Sequence, residues 1–142
     1  MTAQRHLRLS IAVVGLFLAM GLWLEAMYGL RAEGWIDDSL RREFLRLGHS
    51  HGALLGLVNV ALAWGIERLE TPAAWAAKIR LAAWIGALLV GVGFVAGGLT
   101  HGPTDPGPPI LMVPAGALMT LTATVAVALV RPTDGRPRAP QP

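Results

Sequence analysis

The chain is predicted to be an all-α integral membrane protein: a four-helix bundle with a short interfacial amphipathic helix before its second span. Three observations carry that prediction. Hydrophobic residues make up 54% of the 142 and charged residues only 15%, against about 25% in soluble domains. The apolar residues fall into four blocks, each near the roughly 20 residues that a helix needs to cross the hydrocarbon core. The arginines gather between those blocks rather than along them. The predicted spans are residues 9–30, 48–66, 79–99 and 109–130, within one transmembrane domain over 1–130. Residues 131–142, rich in proline and arginine, are expected to be a disordered tail.

The first block follows a polar head carrying Arg5, His6 and Arg8. A positive head before an apolar run also describes a signal peptide. Here the run is long and no small-x-small site follows it, so a retained span is expected. Glu25 interrupts it near its far end, at the shoulder of a bilayer rather than its centre. Next, Asp37, Asp38 and Ser39 are helix-starting residue types. Leu40, Phe44 and Leu47 then recur at i, i+4 and i+7 among Arg41, Arg42, Glu43 and Arg46. That amphipathic stretch either lies on the membrane or leads straight into span 2.

In span 2, Gly48, Gly52 and Gly56 form a ridge that lets another helix come close. Asn59 lies deep in the span and should face protein. Thr71-Pro72 starts the third helix, which holds Gly86, Gly91, Gly93, Gly97 and Gly98, a pattern for close packing or for room beside something flat. Pro114 is expected to kink the fourth helix. Thr120 and Thr124 should bond back to their own helix. Trp23, Trp35, Trp75 and Trp84 read as an interfacial belt.

Composition also excludes functions. With no cysteine, disulfides, iron–sulfur clusters and thiolate zinc sites are ruled out. The pI near 10.6 reflects arginines at span ends, an orientation signal rather than a nucleic-acid surface. Eight basic residues flank the termini side and four the opposite side, so both termini are expected in the cytoplasm, with bacterial inner membrane the expected location. No nucleophile–base pair and no phosphate loop is present, and no catalytic residue is assigned.

With four spans, Glu25, His49, His51 and His101 all fall at one membrane face, together with Met27, Asp105 and Met112. Every helix thus brings a potential ligand to one layer. Imidazole suits iron, copper and zinc, carboxylate adds to zinc or iron, and thioether suits copper(I). His49 and His51, two residues apart, point about 200° away from each other on a helix. His51 with His101 is therefore the preferred ligand pair. His49 is a second ligand, a propionate partner or a surface histidine, and Glu25 gives support. The alternatives are a proton-handling site, since histidine titrates near neutrality, or structural histidines bonded to loop carbonyls.

The segment His49-Ser50-His51-Gly52-Ala53-Leu54-Leu55-Gly56 resembles the HxHxxLLG helix of a family of small four-span bacterial membrane proteins. More loosely, it is similar to histidine-bearing helices of the haem–copper oxidase and nitric oxide reductase superfamily. That resemblance implies His49 and His51 as haem or metal ligands. The expected function is binding of haem b or a transition metal (copper, iron or zinc) for electron transfer, sensing or cofactor handling. The alternatives are an accessory subunit docked to a larger membrane complex or a second copy through its glycine faces, or a small transporter or channel. The expected environment is the lipid bilayer, with no nucleic-acid partner.

Overall fold

The computed structural model describes residues 1–130; the predicted tail, 131–142, lies outside the described residues. Four α-helices follow one another: α1 Ala3–Gly29, α2 Ser39–Arg68, α3 Ala73–Leu99 and α4 Met112–Leu129. A short 3-10 helix, Pro108–Leu111, leads into α4. Three helical stretches are long and apolar enough to cross a membrane: α1, α3, and Pro108–Leu129.

Local chemistry sets the ends. The Thr2 side chain accepts from the backbone N–H of Arg5 and starts α1, so the helix takes in the polar head that was expected to precede it. Asp38 does the same for α2, its Oδ1 accepting from the N–H of Arg41 at 2.9 Å. The amphipathic stretch is the opening of α2 itself, running on through Gly48 without a break. A helix interior pays about 1 kcal/mol for a glycine, but Gly48 lies against the backbone of Gly91 and the side chain of Val95, where a larger residue would clash. Pro72 is the N-cap of α3 rather than part of its first turn, and no side chain caps that end. Pro114 falls in the first turn of α4, where its missing N–H costs no helical bond.

Each helix packs chiefly on the next one in the chain, and α2 and α4 scarcely touch. Glycines mark the crossings. The ring of Phe17 (α1) fills the space left by Gly52 (α2) and Gly91 (α3), and Val14 lies on Gly56. Between α3 and α4 the approach is backbone on backbone. A Cβ at Gly86 would stand 2.7 Å from the Gly116 carbonyl, and one at Gly116 would stand 2.6 Å from the Gly86 carbonyl. Removing both Cβ atoms lets the helices meet at van der Waals distance.

The core is split. Leu62, Ile66, Ile79, Ala83, Ala123 and Val127 close one end between α2, α3 and α4, whereas Leu24, Trp35 and Leu45 close the other. Outward-facing positions are also apolar, with Leu16, Leu22, Leu54, Trp64 and Leu118 all well exposed. Trp35 departs from the expected belt. It is only 8% exposed and meets Trp23 edge-on at 5.5 Å, because the linker folds back over the end of α1.

His6 departs further. Expected at the surface of a polar head, it is fully buried. Asn59 donates its amide to the carbonyls of Leu55 (2.9 Å) and Ala83 (3.1 Å). Its Oδ1 must therefore accept, and it does so from His6 Nε2 at 2.9 Å. One side chain ties α1, α2 and α3 together, and Asn59 faces protein as expected. Nearby, Arg80 pairs with Glu67. Thr120 and Thr124 donate to the carbonyls of Gly116 and Thr120, the back-bonding predicted for them.

Candidate functional site

The antiparallel order brings the end of α1, the start of α2, the end of α3 and the start of α4 to one end of the bundle. All four sequence-predicted site residues are there, but they face in different directions.

His49 turns toward α1. Its Nδ1 lies 2.6 Å from the carbonyl oxygen of Phe17, so this nitrogen carries the hydrogen and donates. The imidazole reaches that backbone because Gly21 has no side chain, and its ring occupies the place a Cβ would take. Nε2 is left as an acceptor. His49 lines a cleft between α1 and α2 together with Glu25, Arg46 and Ser50. An adjoining cleft shares Glu25 and Arg46 and adds Tyr28, Trp35 and Arg42.

His51 turns the other way, toward α3 and α4. Its Nδ1 donates to the Leu47 carbonyl, one turn earlier, at 2.9 Å, and its ring lies 5.0 Å from that of Phe94. It lines a furrow of about 470 Å³ whose other walls include Leu55, Val90, Phe94, Val113 and Thr120. The furrow exists because α2 and α4 both pack on α3 and not on each other. In the neutral ring this Nδ1–H tautomer puts the lone pair on Nε2, the form that a metal ion needs in a histidine ligand. A backbone carbonyl on the other ring nitrogen is the usual support for such a ligand.

His101 is committed elsewhere. Nε2 lies 2.9 Å from Oδ2 of Asp38 and Nδ1 lies 2.6 Å from the Gly102 carbonyl. Both partners are acceptors, so both ring nitrogens donate and the imidazolium is the form that fits. The Gly102 carbonyl and then Asp38 hold the His101 pKa above the ordinary imidazole value. The Arg41 N–H, followed by His101, holds Asp38 below the usual carboxylate range.

The preferred pair of His51 and His101 is not brought together. His101 docks at Asp38, and about 20 Å of helix rise separates Asp38 from His51 at 1.5 Å per residue. Glu25 stands in the cleft on the α1 side with His49. Of the other residues of the layer, Met27 packs against the cluster of Leu24, Trp35 and Leu45, Asp105 accepts from Thr104, and Met112 opens α4 beside Gly93. Among the described residues no three of histidine, cysteine, aspartate and glutamate are grouped to hold a metal ion. A closed multi-ligand metal centre built from His49, His51, His101 and Glu25 therefore does not fit this arrangement.

Sequence reasoning missed the Asp38–His101 pair and the burial of His6. Asp38 showed only as a helix start, and His6 stood among arginines. One signal was available: Asn59 inside an apolar helix needs a buried partner, and His6 with Ser10, spaced i and i+4, forms a polar stripe on α1. Comparison with family models, with characterised proteins and with solved structures finds no match to this chain.

Proposed function

We propose that the protein is an integral membrane bundle whose four helices all cross the bilayer, and that it binds a flat lipophilic cofactor of the haem class in the furrow between α2 and α4. The observation that carries this reading is His51. Its Nδ1–H is held by the Leu47 carbonyl, leaving Nε2 as a free donor atom on the wall of an apolar furrow. Haem bound there would supply one-electron or gas-binding chemistry. The chain's own part is to fix the imidazole tautomer, to offer the Phe94 ring beside it, and to exclude water with Leu55, Val90 and Val113. His51 would be the one histidine to hold the group, which would suit sensing or cofactor handling better than electron relay, because His101 has no nitrogen left to give. The remaining apolar furrow, about 470 Å³, falls in the range of ordinary ligand pockets.

The test is a visible spectrum of detergent-purified protein expressed with haem available, oxidised and dithionite-reduced. A Soret band lost in His51→Ala and retained in His101→Ala is the expected result. Absence of a band in folded, haem-replete protein would sink the reading.

A second reading rests on the same shape. The furrow separates two helices that would otherwise touch, so an apolar helix of a partner subunit would also fill it. Co-purification with a membrane complex, lost on Ala117→Trp while the isolated protein stays colourless, would favour that reading.

A further inference from the structure

The clefts on the α1 side of the bundle are independent of the His51 furrow and have a different chemistry. They are two contiguous hollows of about 310 Å³ each, at the end of the membrane-length helix α1. Glu25 and Arg46 line both, and Glu43 adds a second carboxylate to the one that holds His49. Among the described residues neither Glu25 nor Arg46 makes an ion pair, although they carry opposite charges and face the same space. The gap between them is therefore one that a separated positive and negative charge would bridge. Arg42 adds positive charge on the Arg46 side, held in place by the carbonyls of Ile36 and Trp35. On the Glu25 side, His49 has its Nε2 left as an acceptor because Nδ1 donates to Phe17. Tyr28, which is exposed, stands at the same level, as an interfacial aromatic does.

We propose that this cleft is a binding site for a zwitterionic phospholipid headgroup bearing a primary ammonium, of the phosphatidylethanolamine type. Its phosphate is placed by Arg46 and Arg42, and its ammonium by Glu25 and His49. The acceptor pair selects the ammonium. An –NH₃⁺ has three N–H donors to offer a carboxylate and an imidazole nitrogen, whereas a quaternary choline has none. An anionic glycerol headgroup would leave Glu25 unpaired. The lipid is favoured over a soluble phosphoester because the cleft lies at the end of a helix whose outer face, at Leu22 and Trp23, is exposed and apolar and so accommodates acyl chains.

The experiment is thermal unfolding and native mass spectrometry of the full chain in detergent. The probes are dioleoyl phosphatidylethanolamine, the matching phosphatidylcholine and phosphatidylglycerol, and soluble glycerophosphoethanolamine. The expected result is retention of the phosphatidylethanolamine at least tenfold above the other two lipids, with a raised Tm. That preference should disappear in Glu25→Gln and weaken for all phospholipids in Arg46→Gln. Both are surface substitutions, and unfolding without lipid checks that each variant folds. Equal response to ethanolamine and choline lipids, or an unchanged preference in Glu25→Gln, would overturn the proposal. Equal binding of the soluble phosphoester would overturn the assignment to lipid.

Discussion

Asp38 and His101 hold each other at 2.9 Å across two loops, and Asp38 simultaneously caps α2 through its other oxygen. The first helical hairpin is thereby fastened to the turn that precedes α4.

This contact should depend on pH in a defined direction. His101 has a raised pKa, so its contribution is complete below the ordinary imidazole value, about 6.5, and is lost as pH rises through the raised value. Asp38 has a lowered pKa, so its contribution is complete above the ordinary carboxylate range and is lost as pH falls through the lowered value. The fastening is thus strongest in mildly acidic solution. Amide hydrogen exchange at Gly102 and Gly107, corrected for the intrinsic pH dependence of exchange, should show protection that falls on the alkaline side. Asp38→Asn keeps a capping oxygen and should weaken that dependence without unwinding α2, the Gly102 carbonyl still holding His101. Protection that stays level with pH in the parent protein would contradict the assignment.

Asn59 should matter more than His6. Replacing Asn59 with leucine strands His6 Nε2–H and frees the Ala83 carbonyl of its interhelical donor. An unsatisfied buried polar group costs about 1–3 kcal/mol. Replacing His6 with leucine leaves both Asn59 amide donors satisfied and strands only its buried Oδ1, a smaller share of the same penalty. Reversible unfolding in mixed micelles would rank the two variants; the opposite order would refute the assigned geometry.

Two glycines should respond with opposite sign. A Cβ at Gly86 meets the backbone of Gly116 and Thr120 at under 3.0 Å, so Gly86→Ala forces the helices apart and should cost about 1–3 kcal/mol. Gly15 has nothing within 4 Å of such an atom, and Gly15→Ala should stabilise by up to about 1 kcal/mol through helix propensity. Melting temperatures of the two variants, measured in one detergent, suffice to check this.

Gly21→Ala should expel the His49 ring from its seat on α1. In NMR of histidine-labelled protein, the parent should show His49 as the Nδ1–H tautomer with a slowly exchanging proton. The variant should lose that signature while His51 keeps its own. Retention of both signatures would mean that His49 is held by something other than the Phe17 carbonyl.

The sequence made the level of each residue legible but not its direction. Alternating helices were enough to put Glu25, His49, His51 and His101 at one end, because position along a span follows from counting residues. Which neighbour each one faces depends on how α1, α3 and α4 are arranged around α2, and one chain's periodicity does not contain that. The two-residue spacing did foretell that His49 and His51 diverge. The partner of His101 lies 63 residues away and is chosen by loop geometry. His6 was obscured by Arg5 and Arg8, whose hydrophilic company masks a side chain that turns inward.

The polar residues of α2 bear on how the protein reaches the bilayer at all. Among the described residues, α2 is not one of the stretches apolar enough to cross a membrane, and its histidines and Asn59 are the reason. His51 bonds within its own helix, to the Leu47 carbonyl, but His49 finds its partner only on the α1 backbone, and Asn59 completes its bonds only on His6 and the α3 backbone. During biosynthesis α2 should therefore wait beside the translocation channel until α1 can shield it and α3 has emerged. On the proposed four-span arrangement, insertion of this chain becomes a cooperative event of three helices, with folding and membrane integration as one process.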